Sequence, residues 1–193
     1  AKEMQDVRGE QISMILQDPM TSLNPVFTVG NQVAWPIRQH QKHINKKDIW
    51  ERVKDMLTKV KIPSPEVRLA EFPHQMSGGM RQRIIGAMAL SCQPKLLIAD
   101  EPTTALDVTV QAQFLDLIKS IQREDDLAMI MVTHDFGIVA NVCDRVAVMY
   151  AGKIVEIAPI RELFNNPKHP YTMALMASLP KMEDDLETLY SIE

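Results

Sequence analysis

Leu96-Leu97-Ile98-Ala99-Asp100-Glu101-Pro102 is the stretch on which the reading of this chain turns. A short apolar run of this kind reads as a strand buried on both faces, as in a parallel sheet between helices. It delivers two carboxylates at its end. An aspartate closing a buried strand can hold Mg²⁺, directly or through water, beside phosphates. The adjacent glutamate points elsewhere and can polarise an attacking water as a general base. The plainer alternative is a pair of solvated carboxylates opening a turn before Pro102.

Two further runs have the same form. Ile12-Ser13-Met14-Ile15-Leu16 ends at Gln17, and Ala128-Met129-Ile130-Met131-Val132-Thr133 ends at His134-Asp135. Between the second and third runs, Phe114, Leu115, Leu117, Ile118 and Ile121 make an apolar stripe on a helix that Asp107 can cap. Strand, helix, strand is a βαβ unit, and open α/β sheets bind ligands at the carboxyl ends of their strands. One polar residue there means little. Three, with side chains suited to magnesium, proton and phosphate chemistry, suggest one site. Ile98, Ile130 and Val132 are expected to form a core with the helix around Leu115 and Ile118.

Upstream, Ser77-Gly78-Gly79 precedes a helix expected to start near Met80. A serine there can cap the helix, its glycines let backbone N–H groups approach an anion, and the helix dipole favours phosphate. An ordinary loop and cap is the alternative. The region between Gln17 and the second strand is otherwise mostly helical, with turns at Pro19, Asn24-Pro25 and Pro63-Ser64-Pro65. Ile49, Val53, Met56, Leu57 and Val60 give it one amphipathic stripe. It reads as a helical subdomain, about residues 20–91, inserted into a sheet domain that spans residues 1–157. Arg38 to Lys61 is locally basic, as solvated helix faces often are.

Past His134 a helix is expected, then a hairpin at the sheet's edge from Arg145–Tyr150 and Ile154–Ile157, turning at Ala151-Gly152-Lys153. Residues 158–193 read as a separate extension with an acidic end.

Composition bounds the rest. The 193 residues are 46% apolar and 24% charged, an ordinary globular balance. The net charge of −4 argues against a general nucleic-acid binder. Cys92 and Cys143 stand far apart in no CxxC pairing, which fits neither a disulfide framework nor a zinc site. His40 and His43 are i, i+3 neighbours without further ligands, and the thirteen methionines read as core filler. No apolar run approaches the ~20 residues that span a bilayer, so a membrane role is expected to come through a partner.

These residues carry a resemblance. Met76-Ser77-Gly78-Gly79-Met80-Arg81-Gln82-Arg83 resembles the signature motif of ATP-binding-cassette proteins, and Leu96 to Pro102 resembles their Walker B strand. Ala105-Leu106-Asp107 is similar to the D-loop, Gln17 to the Q-loop glutamine and His134 to the switch histidine. The resemblance implies an α/β fold of the P-loop NTPase type, with ATP and Mg²⁺ as cofactors and a second, head-to-tail nucleotide-binding domain. It implies that Asp100 helps hold Mg²⁺, Glu101 polarises water and His134 contacts the γ-phosphate. Gln17 would sense metal and nucleotide and couple to a membrane subunit. Ser77, Gly78, Gly79 and Met80 would bind nucleotide in trans, and Asp107 would cross the dimer interface.

A branch of the family is also legible. Gln17-Asp18-Pro19-Met20-Thr21-Ser22-Leu23-Asn24-Pro25, Met80 in the signature, and Ala99 to Asp107 are similar to oligopeptide, dipeptide and nickel importers. Asn166-Pro167-Lys168-His169-Pro170-Tyr171-Thr172 resembles the start of that branch's carboxyl-terminal extension. The implied partners are transmembrane permease subunits and, indirectly, an extracytoplasmic substrate-binding protein, with no nucleic acid. The implied location is peripheral, on the cytoplasmic face of the cell membrane.

One departure stands out. None of the seven glycines begins a GxxxxGK[ST] phosphate loop. The expectation is a fragment that lacks that loop and the family's adenine-stacking aromatic, inactive on its own. An inactive natural paralogue is the alternative explanation. Two other functional readings stand beside the ATPase: a binding module that only offers its signature surface to a complete partner, and a DNA-repair cassette. The latter carries long coiled coils, and no sustained heptad is found here.

Overall fold

The computed structural model describes residues 2–17, 22–104 and 106–178. The chain divides into two compact units, residues 1–134 and 135–193.

The first unit is an α/β layer. A short helix α1 (Lys2–Val7) leads into strand β1 (Ile12–Ile15). Among the described residues, four α-helices follow: α2 (Val29–His40), α3 (Lys46–Lys59), α4 (Pro65–Arg68) and α5 (Gly78–Leu90). Then come β2 (Leu96–Asp100), α6 (Val108–Asp125) and β3 (Ala128–Val132). The three strands form one parallel sheet in the order β1-β2-β3. Met14 pairs with Ile98 and Ile98 with Ile130, so the strands run in step. Their carboxyl ends lie along one edge, where Gln17, Glu101 and His134 follow.

Local sequence explains the helices. Asn45 caps α3 by accepting from Asp48 N at 3.0 Å, and the expected stripe is buried at Ile49, Val53 and Leu57, with Met56 half-buried and Val60 closing the helix. Asp107 caps α6 as its sequence suggests. The helix ends at Asp126, whose left-handed φ of 51° is tolerated by a short polar side chain. Phe114, Leu117, Ile118 and Ile121 on α6 enter the main core with Ile84, Ala87 and Leu90 on α5. Each leucine, isoleucine and phenylalanine among them contributes roughly 1.5–3 kcal/mol on burial. Lys59 Nζ, at the end of α3, meets Asp125 Oδ2 at 2.7 Å and ties the helical layer to α6.

The sheet does not match the expectation of strands buried on both faces. Side chains alternate, and only one set is covered. Ile15, Leu97 and Ala99 are buried and Met129 packs against the core, while Met14, Ile130 and Val132 are 47%, 51% and 50% exposed. Ile130 and Val132 therefore form no core with Leu115 and Ile118, and Ile98 is only half-buried. The reason is the two-residue period of a strand: α5 and α6 cover the face that carries Leu97 and Ala99. Uniformly apolar runs conceal that period.

The second unit begins with α7 (Phe136–Val142), followed by β4 (Arg145–Tyr150), β5 (Lys153–Pro159), α8 (Ile160–Asn165) and α9 (Pro170–Ala177). The hairpin forms through two left-handed residues, Ala151 at φ 47° and Gly152 at φ 76°, the geometry that suits strand twist. Among the described residues it is a two-stranded sheet of its own rather than an added edge of the parallel sheet. Val148, Ala158 and Leu163 make a small core against which Tyr171 and Leu175 pack. Glu156 on β5 accepts from Lys168 N at 2.8 Å and His169 N at 3.0 Å, fixing the loop before α9. None of the described helices is long and apolar enough to cross a membrane.

Candidate functional site

Two clusters gather the residues singled out from sequence. The first centres on Glu101. Its backbone N–H continues the ladder to Val132 O at 2.9 Å, and its φ of 43° is left-handed. For an L-residue that conformation costs about 1–2 kcal/mol, and such residues cluster at functional sites. The turn aims the carboxylate across the strand ends instead of along β2. Gln17 Nε2, just past β1, donates to Glu101 Oε2 at 2.9 Å. His134 Nδ1, just past β3, lies 3.1 Å from Glu101 Oε1. All three strands thus contribute to one carboxylate.

Thr104 completes this cluster. Its hydroxyl donates to Glu101 Oε2 at 3.0 Å. Sequence reading quoted Thr104 only as a mark of the importer branch. The signal that could have found it is a hydroxyl three residues beyond the acid, within reach of a turn. The hydrogen bond from His134, then that from Thr104, with a smaller one from Gln17, hold the Glu101 carboxyl below the usual carboxylate range, against partial desolvation. The side chain keeps 22% of its surface open and His134 keeps 75%, so the group is ionised and within reach of water. Asp100, half-buried, ends β2 opposite Val132.

The second cluster lies where two helices begin. Ser77 caps α5, accepting from Met80 N at 3.3 Å, and Asp107 caps α6, accepting from Val110 N at 3.0 Å. Ser77, Gly78, Gly79, Met80 and Asp107 line one cavity of about 310 Å³ with Arg83 and Gln113. The two glycines differ. A Cβ on Gly78 would meet nothing within 4 Å, whereas one on Gly79 would stand 2.6 Å from Val110 Cγ1. Gly79 is there for close helix packing, and Gly78 leaves the cavity wall open. The Ser77 oxygen is engaged as the cap, leaving its hydrogen free to donate outward. Arg83 donates to Gln113 Oε1 at 3.2 Å, so the cavity lining carries one cation as well as the Asp107 carboxylate. Met80 contributes apolar packing rather than a polar group. Glu101, Gln17 and His134 are not part of this cavity. Asp18–Thr21 and Ala105, quoted above for the Q-loop and D-loop, lie outside the described residues.

Residues 1–104 match the family model of the ABC transporter, and the chain belongs to that family. Residues 155–193 match the model of the oligopeptide/dipeptide transporter, C-terminal region. The chain is 57% identical over 186 residues to the oligopeptide transport ATP-binding protein OppD of Bacillus subtilis, covering 96% of this chain and 52% of that protein. It is likewise 57% identical over 182 residues to the dipeptide transport ATP-binding protein DppD of the same organism, covering 94% of this chain and 54% of the relative. The chain therefore spans about half the length of these curated relatives. Among solved structures it is similar, at 25% identity and a TM-score of 0.71, to the ATP-binding cassette MJ0796 in a dimeric post-hydrolysis state bound to ADP and Pi. That match covers 83% of this chain and 67% of the other.

Proposed function

We propose that this chain belongs to the ATP-hydrolysing subunit of an importer, with peptides as cargo. The observation that carries the reading is the convergence of Gln17 and His134, just past two of the parallel strands, and of Thr104, from a turn, on the carboxylate of Glu101 just past the third strand. Such a carboxylate can take a proton from an attacking water. The names of the relatives, oligopeptide and dipeptide transport ATP-binding proteins, favour a peptide cargo over nickel.

The residues fit a nucleotide. Asp100 at a strand end suits Mg²⁺, which takes one or two carboxylates plus phosphate oxygens. When bound, the metal neutralises charge on the phosphates. His134 is the candidate contact to the terminal phosphate, and Gln17 the candidate sensor. Both hold Glu101 in this structure, so a shift of either changes the base directly. The Ser77-Gly78-Gly79 cavity, with its open wall and two helix N-termini, suits an anionic group of a nucleotide held mainly by a second domain. Asp107 beside it is the candidate interface residue. The partners that follow are that second nucleotide-binding domain and transmembrane permease subunits, which place the chain peripherally at the cytoplasmic face of the membrane.

The test is ATP hydrolysis by the full-length protein. Glu101→Gln is expected to lower turnover by about 10²–10⁴-fold, the loss typical of a missing general base, while nucleotide binding persists. Near-wild-type turnover would mean that Glu101 is not the base. A second reading rests on the lack of a phosphate loop among the 193 residues: the chain by itself supplies only a signature surface. Hydrolysis measured on the purified chain, alone and with a complete partner domain, separates the two.

A further inference from the structure

We propose that Gln82 is a positioning residue for Glu101, reaching from the helix that carries Ser77-Gly78-Gly79 to hold the turn that carries the base. The inference rests on the function proposed above. Gln82 lies in α5 and is 0% exposed. Its Nε2 donates to the carbonyl oxygen of Pro102, the residue after Glu101. Its own Oε1 is buried with no hydrogen-bond partner among the described residues.

Packing alone gives no reason for an amide here. The rest of the buried surface of α5 is Ile84, Ile85, Gly86, Ala87, Ala89 and Leu90. Methionine would fill a similar volume and remove the unpartnered Oε1. What methionine cannot supply is a directed N–H. Pro102 is buried, so its carbonyl needs a donor from within the protein. The turn is therefore pinned on both sides of Glu101. The Glu101 N–H is held by Val132 O at 2.9 Å, and the Pro102 carbonyl is held by Gln82. Between these points Glu101 keeps its left-handed φ of 43° and Thr104 stays within reach of the carboxylate. Releasing the Pro102 carbonyl frees the turn to relax, and the carboxylate leaves Gln17 and His134.

The test compares the full-length protein as wild type, Gln82→Met and Gln82→Glu, with ATP hydrolysis and nucleotide affinity measured from about pH 6 to about pH 8. A carboxyl buried at this position has its pKa raised. Its protonated form donates O–H to the Pro102 carbonyl, and its ionised form repels it. The Gln82→Glu to wild-type ratio of kcat is therefore expected to climb as pH falls, with KM for ATP little changed. Gln82→Met is expected to lose about 10–100-fold in kcat at every pH, as small misplacements of a reacting group do. The pH series on Gln82→Glu decides the matter even if Gln82→Met fails to fold. A Gln82→Glu ratio that is flat with pH, or kcat and affinity falling together, overturns the inference while wild-type hydrolysis keeps the proposed function standing. No hydrolysis by the wild type overturns both.

Discussion

The two clusters of the first unit are built in opposite ways. The bonds to Glu101 from Gln17 and His134 join residues 84 and 33 positions apart. The Ser77 and Asp107 bonds that start the second cluster each close over three residues, as helix caps, and the Arg83–Gln113 bond joins the two helices. One arrangement exists only while three strands stay in register. The other is mostly a property of two helix starts, completed by the close approach of Gly79 to Val110. Perturbing the sheet should therefore dismantle the first and spare most of the second.

The largest effect is expected from Leu97→Ala. Leu97 is fully buried on the covered face of the sheet, and such truncations cost about 2–5 kcal/mol. Ile130→Ala, at 51% exposure on the other face, is expected to cost ~1 kcal/mol or less. Chemical denaturation of both variants checks the pair. Equal costs would mean that the bare face is covered in solution, for example by self-association.

The two glycines sharpen the comparison from the helix side. Gly79→Ala is expected to destabilise by about 1–2 kcal/mol, because overpacking against Val110 outweighs the gain in helix propensity. Gly78→Ala is expected to leave stability within about 0.5 kcal/mol and to lower ATP turnover of the full-length protein. Thermal melting and hydrolysis on the same two variants read the difference, and a stable Gly79→Ala would remove the packing role assigned to that glycine. A smaller loss, about 1 kcal/mol, is expected for Asp107→Ala through the missing cap, with the pH dependence of hydrolysis unmoved.

The finest effect is on that pH dependence. The Glu101 carboxyl sits below its ordinary range. Its ionised form is therefore favoured by folding at pH above the unfolded value, and this contribution is lost as pH falls through the folded one. Thr104→Val removes one of the bonds responsible, so the acid limb of the rate profile is expected to move to higher pH. A profile that does not move would show that the Thr104 hydroxyl leaves the base unaffected.

The sequence by itself determined the α/β class, the order of the three parallel strands' motifs and both helix caps. These depend on short-range patterns: an apolar run, a stripe at helical spacing, an Asp or Ser before a helix. Five motifs in order also made the family legible. Only the tertiary structure decided which face of the sheet is covered, because runs such as Leu96 to Ala99 and Ala128 to Val132 are apolar at every position and show no period to read. It also decided that the hairpin stands as its own sheet, that Thr104 bonds to Glu101, and that two adjacent glycines serve different purposes. Gln82 illustrates the limit best. In the sequence it is one polar residue among others after the signature glycines, and its partner lies twenty positions away in the turn that follows β2. A directed bond of that span depends on how α5 packs against the sheet, and local propensity carries no trace of it.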